Sequence, residues 1–166
     1  MGVEDGLMFP EPQTRISQRA LVVWRISGSI STLFVFLIGG GFITLGILFN
    51  WPLMIMVAIG IFMLVYGWLA VFFLPMMRWK RWRYEVREQE IELQRGVFII
   101  KRTLIPMVRV QHVDTQQGPL LRKYGLSTVM ISTAATVHEI PALEGVEAER
   151  LRQSISRLAR VADEDV

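Results

Sequence analysis

From Ile26 to Met77 the chain runs for 52 residues without an Asp, Glu, Lys or Arg, and beyond Met77 it changes to short segments in which apolar and polar residues alternate. As one helix the uncharged run would be about 78 Å long at about 1.5 Å per residue. A bilayer core of about 30 Å needs only about 20 apolar residues, so the run allows two crossings with a turn between them. Asn50-Trp51-Pro52 supplies the turn, because Asn favours turns and Pro removes a backbone donor and suits a helix start. The pattern predicts membrane helices over 26–49 and 53–77. The alternative, a soluble protein with two buried helices, is disfavoured because soluble chains seldom sustain apolar runs of this length.

The alternating part reads as a small β-rich domain. Tyr84 and Val86 alternate with charges, Glu88-Gln89 turns the chain, and Ile91 and Leu93 alternate with Glu90, Glu92 and Gln94, which predicts a hairpin with one wet face. After the Arg95-Gly96 turn, Val97–Leu104 is apolar enough for a central strand, interrupted by Pro106. Val108, Val110 and His112 share one face of the next strand. Leu120–Tyr124 predicts one helical turn stopped at Gly125. Leu126–Thr133 and Val137–Ile140 predict two more strands, joined at Ala134-Ala135-Thr136 and closed by Pro141. Ala142–Ala162 predicts a helix, with Leu143, Val146, Leu151, Ile155, Leu158 and Ala162 on one side. Its early acids and late arginines complement the helix dipole.

Charge changes the picture in one respect. The net charge is +3, from 18 Lys and Arg against 15 Asp and Glu, and the cations crowd the ends of the uncharged run. Arg15, Arg19 and Arg25 precede it; Arg78, Lys80, Arg81 and Arg83 follow it. The turn between the predicted helices carries none, so the positive-inside rule puts both termini in the cytoplasm and Asn50-Trp51-Pro52 outside. Trp24, Trp51, Trp79 and Trp82 stand where interfacial aromatic belts occur. The expected organisation is a cytoplasmic segment 1–25, a transmembrane hairpin 26–77 and a cytoplasmic domain 78–166. Residues 1–14, with two Gly and two Pro, read as an extended lead-in, and 15–25 as either an interfacial helix or the first turns of the first membrane helix. Glu4 and Asp5 argue against a secretory signal. With no Cys, a disulfide framework and a thiolate metal site are excluded, and no nucleic-acid motif is present.

About six short strands followed by one amphipathic helix suit a bent sheet or partial barrel whose open end the helix covers. The string Ile105-Pro106-Met107-Val108-Arg109-Val110-Gln111-His112-Val113-Asp114, then Gln117-Gly118-Pro119-Leu120-Leu121-Arg122, then Tyr124-Gly125-Leu126, with Ser132-Thr133-Ala134 downstream, resembles the hallmark segment of the bacterial PH-like membrane family, the YdbS-like proteins. The resemblance covers roughly residues 20–160. Val110 stands where Ile is common, and Ala135-Thr136 replaces a more Gly-rich turn. It implies a PH-like domain, a bent β-sheet capped by a C-terminal helix, anchored to the inner membrane of a bacterium by the hairpin. Members of the family look like binding or scaffolding modules, and some are associated with larger proteins carrying several such domains and with tolerance to membrane-active peptides.

Candidate chemistry is thin. His112 and Asp114 share a strand face and His138 lies downstream, but a metal needs three or four convergent ligands, and nothing in the sequence brings His138 to the pair. Glu85, Glu88, Glu90 and Glu92 read as a solvated hairpin face, since acid–base work needs carboxyls in unequal, enclosed environments. There is no nucleophile elbow, phosphate-binding Gly loop or His-Glu-x-x-His. The reading is a non-enzyme without cofactor or metal. Arg78, Lys80, Arg81 and Arg83 are expected to meet anionic headgroups. Arg122, Lys123 and Tyr124 make a candidate binding loop for a phosphate or an acidic partner. Gly28 and Thr32, at small-xxx-small spacing, and Gly60 and Gly67, seven apart, are candidates for close helix packing.

The leading expectation is a membrane-anchored PH-like scaffold engaging a membrane protein partner or further copies of itself. The alternative is an anionic-lipid-binding or envelope-stress module. A transporter component ranks lower, because a conduit wants ionisable groups inside the membrane.

Overall fold

The computed structural model describes residues 12–164. They fall into two compact units, one of residues 18–80 and one combining 12–17 with 81–164.

The first unit is a helical hairpin. Helix α1 (Ala20–Leu48) is followed by α2 (Leu53–Trp68), a π-helical turn (Leu69–Phe73) and α3 (Leu74–Arg81). Helix α1 and the continuous helical run Leu53–Arg81 have 29 residues each, about 43 Å at about 1.5 Å per residue, which exceeds a bilayer core. Helix α1 starts six residues earlier than the uncharged run, so Ala20–Arg25 are its first turns rather than an interfacial approach. The turn is a Schellman motif with Asn50 at φ 51°: Trp51 N–H bonds Gly46 O at 2.9 Å and Asn50 N–H bonds Ile47 O at 3.4 Å. The π-turn has a local cause. Pro75 has no N–H, and in a regular α-helix its ring would meet the Val71 carbonyl. The helix widens just before it, and Leu74 N–H reaches back to Leu69 O.

The second unit is a β-domain of two antiparallel sheets. The first has the order β1 (Thr14–Arg15), β2 (Arg83–Val86), β3 (Glu90–Arg95), β4 (Lys101–Pro106); the second has β5 (Val110–Gln116), β6 (Leu126–Thr133), β7 (Val137–Glu144). A 3-10 turn, Met107–Arg109, joins the sheets, a short helix α4 (Pro119–Lys123) joins β5 to β6, and α5 (Gly145–Glu164) ends the domain. The core comprises Tyr84, Ile91, Leu93 and Ile105 from the first sheet, Val113, Leu126, Val129, Ile131, Ile140 and Leu143 from the second, and Ala148 and Ile155 from α5. This is the PH-like arrangement of a bent, two-sheet β-structure capped by a helix.

Several expected boundaries move. The N-terminal segment is not separate: β1 adds to β2 with Thr14 opposite Tyr84, and Ser17 N–H bonds Ala142 O at 3.3 Å. Residues 1–11, most of the expected lead-in, lie outside the described residues, as do residues 165–166. The run Val97–Leu104 is not a central strand: β4 starts at Lys101 and pairs only with β3 among the described strands, and Val97–Ile100 form a turn. The cause is Gly96, at φ 133°, where a Cβ would lie 1.9 Å from the Ile99 carbonyl oxygen. Val108 sits in the 3-10 turn, and a bulge between Val110 and His112 resets the alternation of β5. Strand β7 runs through Pro141 to Glu144, past a register shift between Ser127 and Val129, the kind of irregularity at which a strand tolerates proline. Leu143 is therefore a buried strand residue rather than part of the helix, and Val146, expected on the apolar side of α5, is exposed.

Candidate binding surface

The cations after the membrane helix divide between the units. Arg78 lies over the Trp24 ring at 4.5 Å, and Arg25, on the same turn of α1, lies 5.9 Å from the Phe72 ring. The cationic ends of the two hairpin helices therefore meet through aromatic rings. Arg78 and Lys80 are exposed, and Arg81 is half-buried. Arg83 opens β2 and enters a cross-strand row with Arg15 on β1, Gln94 on β3 and Arg102 on β4.

Of the carboxylates of the first hairpin Glu88 is exposed, as expected, but Glu85 and Glu90 are half-buried and Glu92 is buried. Arg87 reaches Glu85 at 3.3 Å, Glu90 at 3.4 Å and Glu92 at 3.7 Å. Glu92 is buried and also accepts two hydrogen bonds from Arg102, the one from Nε at 2.9 Å. The hydrogen bond to Glu85 and the surrounding acids hold the Arg87 guanidinium above its ordinary pKa. Across the core face the Tyr84 hydroxyl donates to Glu147 Oε1 at 2.9 Å. Burial, and then Glu147, push its pKa well above the ordinary tyrosine value. On α5, Arg152 donates to Glu149 at 2.6 and 3.0 Å and holds that carboxyl below its usual range.

Arg122 and Lys123 are exposed on α4, and Tyr124 is its half-buried C-cap. Gly125 follows at φ 66°, where glycine carries no penalty. By register this group lies at the Gln116–Thr128 end of the second sheet, while the β6–β7 turn lies at the other end, beside the Thr133–Val110 pair. His112 and Asp114 approach to 3.7 Å on the exposed face of β5. His138 pairs with Ile131 while His112 pairs with Ser132, one position along, so the two imidazoles sit on opposite faces of the sheet. No cluster of three metal-ligating side chains occurs among the described residues.

Two clefts flank the 3-10 turn. One, of about 680 Å³, lies between β5 and α5 and includes Val110, His112, Ser156 and Arg160. The other, of about 470 Å³, lies between β4 and the β6–β7 turn and includes Leu104, Arg109, Thr133, Ala135 and His138. Val108 lines both and is half exposed. Burial, and then the charges of Arg95 and Lys101, lower the His138 pKa. The sequence signal for this surface was the hallmark string itself, whose residues 105–106 and 108–113 line the clefts; periodicity put Val108 in a strand face and hid it.

In the hairpin, a Cβ on Gly28 would lie 2.3 Å from Ala70 O, and one on Gly67 would lie 3.0 Å from the Thr32 methyl. Gly28, Thr32 and Gly67 thus stand on the seam between the helices, together with a 2.7 Å hydrogen bond between the Ser31 and Tyr66 hydroxyls. Gly60 does not: nothing lies within 4 Å of its Cβ position. The seam has a member that spacing alone did not single out, Gly39, where a Cβ would lie 2.4 Å from Met63 Sδ.

The family model described as Bacterial PH domain matches residues 32–159. UPF0699 transmembrane protein YdbS of Bacillus subtilis (strain 168) is 53% identical over 159 residues, covering 96% of this chain and 100% of that protein. UPF0699 transmembrane protein YdbT of the same organism is 27% identical over 119 residues, 69% of this chain but 20% of that protein. No solved structure matches the chain.

Proposed function

The chain belongs to the bacterial PH domain family and is a membrane protein similar throughout its length to YdbS, and from that premise we propose that it is a non-catalytic scaffold whose β-domain docks a membrane protein at the cytoplasmic face of the inner membrane. The single observation that carries the reading is Val108. It projects from the 3-10 turn between two clefts of about 680 and 470 Å³, and it lies in the segment that carries the family pattern. An apolar knob between grooves suits a partner segment laid across it, with Leu104 and Val110 flanking and Arg109 and Arg160 at the rim. The orientation, with both termini cytoplasmic, is supported by the cations at the helix ends and their absence from Asn50-Trp51-Pro52.

A photo-crosslinking amino acid at Val108, in the full-length protein in its native membrane, tests the reading. The expected result is one discrete adduct with a membrane protein, absent when the probe is moved to Glu88. Adducts only between copies of this chain, or none from a monodisperse monomer, would sink it.

A further inference from the structure

The turn between β3 and β4 carries three consecutive large apolar residues, and Phe98 is 80%, Ile99 84% and Ile100 50% exposed. Phe98 and Ile99 are more exposed than any other large apolar side chain described in the β-domain. The turn is tightly folded, because Gly96 at φ 133° lets the Ile99 carbonyl approach where a Cβ would stand. Cations bracket it: Arg95 faces Lys101 across the two strands, and Arg102 is next in register, opposite Gln94.

Strand register fixes which end of the sheet this is. Arg15 faces Arg83, Arg83 faces Gln94, and Gln94 faces Arg102, so one row crosses all four strands. Arg95 and Lys101 make the next row outward, and the turn closes beyond them. The same row is where the chain joins the membrane helices. Arg83 follows Arg81, the last residue of α3, after Trp82 alone, and Arg15 precedes Ala20, the first residue of α1, by only five positions. Both covalent links are therefore short, and both leave from the end of the sheet that bears the apolar turn.

We propose that Phe98, Ile99 and Ile100 insert into the headgroup–acyl boundary of the membrane the helices cross, with Arg95 and Lys101 meeting anionic lipid phosphates. Exposed apolar side chains flanked by a pair of cations suit an interfacial anchor, since the first escape water and the second meet the negative surface. Burial lowers the His138 pKa, and the positive charges of Arg95 and Lys101 lower it further. A protein is the poorer occupant. A stable protein interface needs about 800 Å² per partner, more than a convex five-residue turn offers, whereas a bilayer receives such a tip at any size. The insertion makes a third attachment and fixes how the domain faces the bilayer. It rests on the hairpin crossing a membrane and is independent of a protein docked at Val108.

The chain has no cysteine, so single labels are unambiguous. The full-length Ile99→Cys, Glu88→Cys and Leu37→Cys proteins would each carry an environment-sensitive fluorophore in vesicles of phosphatidylglycerol and phosphatidylcholine. The expected result is blue-shifted emission at position 99 and several-fold stronger quenching by nitroxide acyl chains there than at position 88, which lies in the β2–β3 turn at the far end of the sheet. Quenching should fall in pure phosphatidylcholine and with Arg95→Gln/Lys101→Gln. Equal behaviour at 99 and 88 would overturn the proposal, as would a shielded position 99 that is blind to the quencher and crosslinks copy to copy. An unquenched label at Leu37 would overturn the crossing and the proposal with it. Only this chain and lipid are present, so the outcome does not depend on any protein partner.

Discussion

In the hairpin the seam between the helices is lined by small residues and most large apolar ones face outward; in the β-domain large apolar residues fill the inside. Gly28, Thr32, Gly39 and Gly67 stand on the helix seam, while Leu33, Phe34, Leu37 and Ile38 project away from it. In the β-domain Ile91, Ile131, Ile140 and Ile155 are fully buried. The surroundings explain the inversion. In lipid, apolar side chains gain nothing by leaving the tails, so association depends on close backbone approach. In water, burying apolar area is the main favourable term. Phe98–Ile100 break the aqueous rule inside the aqueous domain, which is why that turn reads as a lipid contact.

The largest test of the inversion is a deletion in the β-domain. Ile91→Ala removes a buried side chain and leaves a cavity, with an expected loss of about 2–5 kcal/mol, read from denaturant unfolding of the full-length protein in micelles. Ile99→Ala, the same chemical change, is expected to leave that stability unchanged. Equal losses at the two positions would mean that the turn is packed against protein and that the contrast is wrong.

Next in size is an addition in the hairpin. Gly28→Val places side-chain atoms where the Ala70 carbonyl now lies, within 2.3 Å of the Cβ position, and overpacking of this kind costs about 1–3 kcal/mol. Gly60→Val meets nothing within 4 Å and should be silent. Helix separation measured in mixed detergent–lipid micelles checks both. An effect at Gly60 of the same size would place a second packing surface there.

The same inversion decides what could be read from the sequence. The hairpin was legible because length and absence of charge suffice to specify it; its details were not. Gly60 and Gly67 share a helical face by spacing, yet only Gly67 meets α1. The π-turn before Pro75 shifts the face of the helix by a residue, which a fixed period of 3.6 cannot follow. In the β-domain the hairpin at Glu88-Gln89, the helical turn ended by Gly125 and strand Leu126–Thr133 lie where turn chemistry put them. The misses share a cause. Val97–Ile100 is an apolar run, and an apolar run reads as a buried strand when water is assumed on every side. Pro141 reads as a strand end, but it lies in a bulge of β7 beyond which the strand continues, so Leu143 moves from helix to sheet. Glu85, Glu90 and Glu92 read as solvated because Arg87 and Arg102, which pair with them, are visible only once register is known. Strand β1 is two residues long and pairs across some seventy positions, beyond any local signal.

A third test uses a buried hydroxyl that crosses the β-domain from sheet to helix. Tyr84 has its pKa raised by burial and by Glu147. The folded state therefore holds the phenolic proton more tightly than the unfolded chain does. The sign follows: the contribution is complete below the unfolded value of about 10 and is lost as pH rises above it. Thermal unfolding should show an alkaline loss of stability above about pH 10 that Tyr84→Phe diminishes.

The smallest effect reports on the turn itself. His138 has its pKa lowered first by burial and then by Arg95 and Lys101, so the folded domain favours the neutral imidazole. Its stabilising contribution is present above the unfolded value of about 6.5 and is lost as pH falls through the folded one. Lys101→Gln removes one of the two cations and should raise the His138 pKa, measured by NMR titration of the imidazole in the full-length protein. Anionic vesicles should do the same to the unsubstituted protein, because lipid phosphates at Arg95 and Lys101 offset the field that His138 feels. Neutral vesicles should leave it where detergent leaves it. If anionic and neutral membranes give the same His138 titration, the cations beside the turn do not meet lipid, and Phe98–Ile100 must be explained without the charges that flank them.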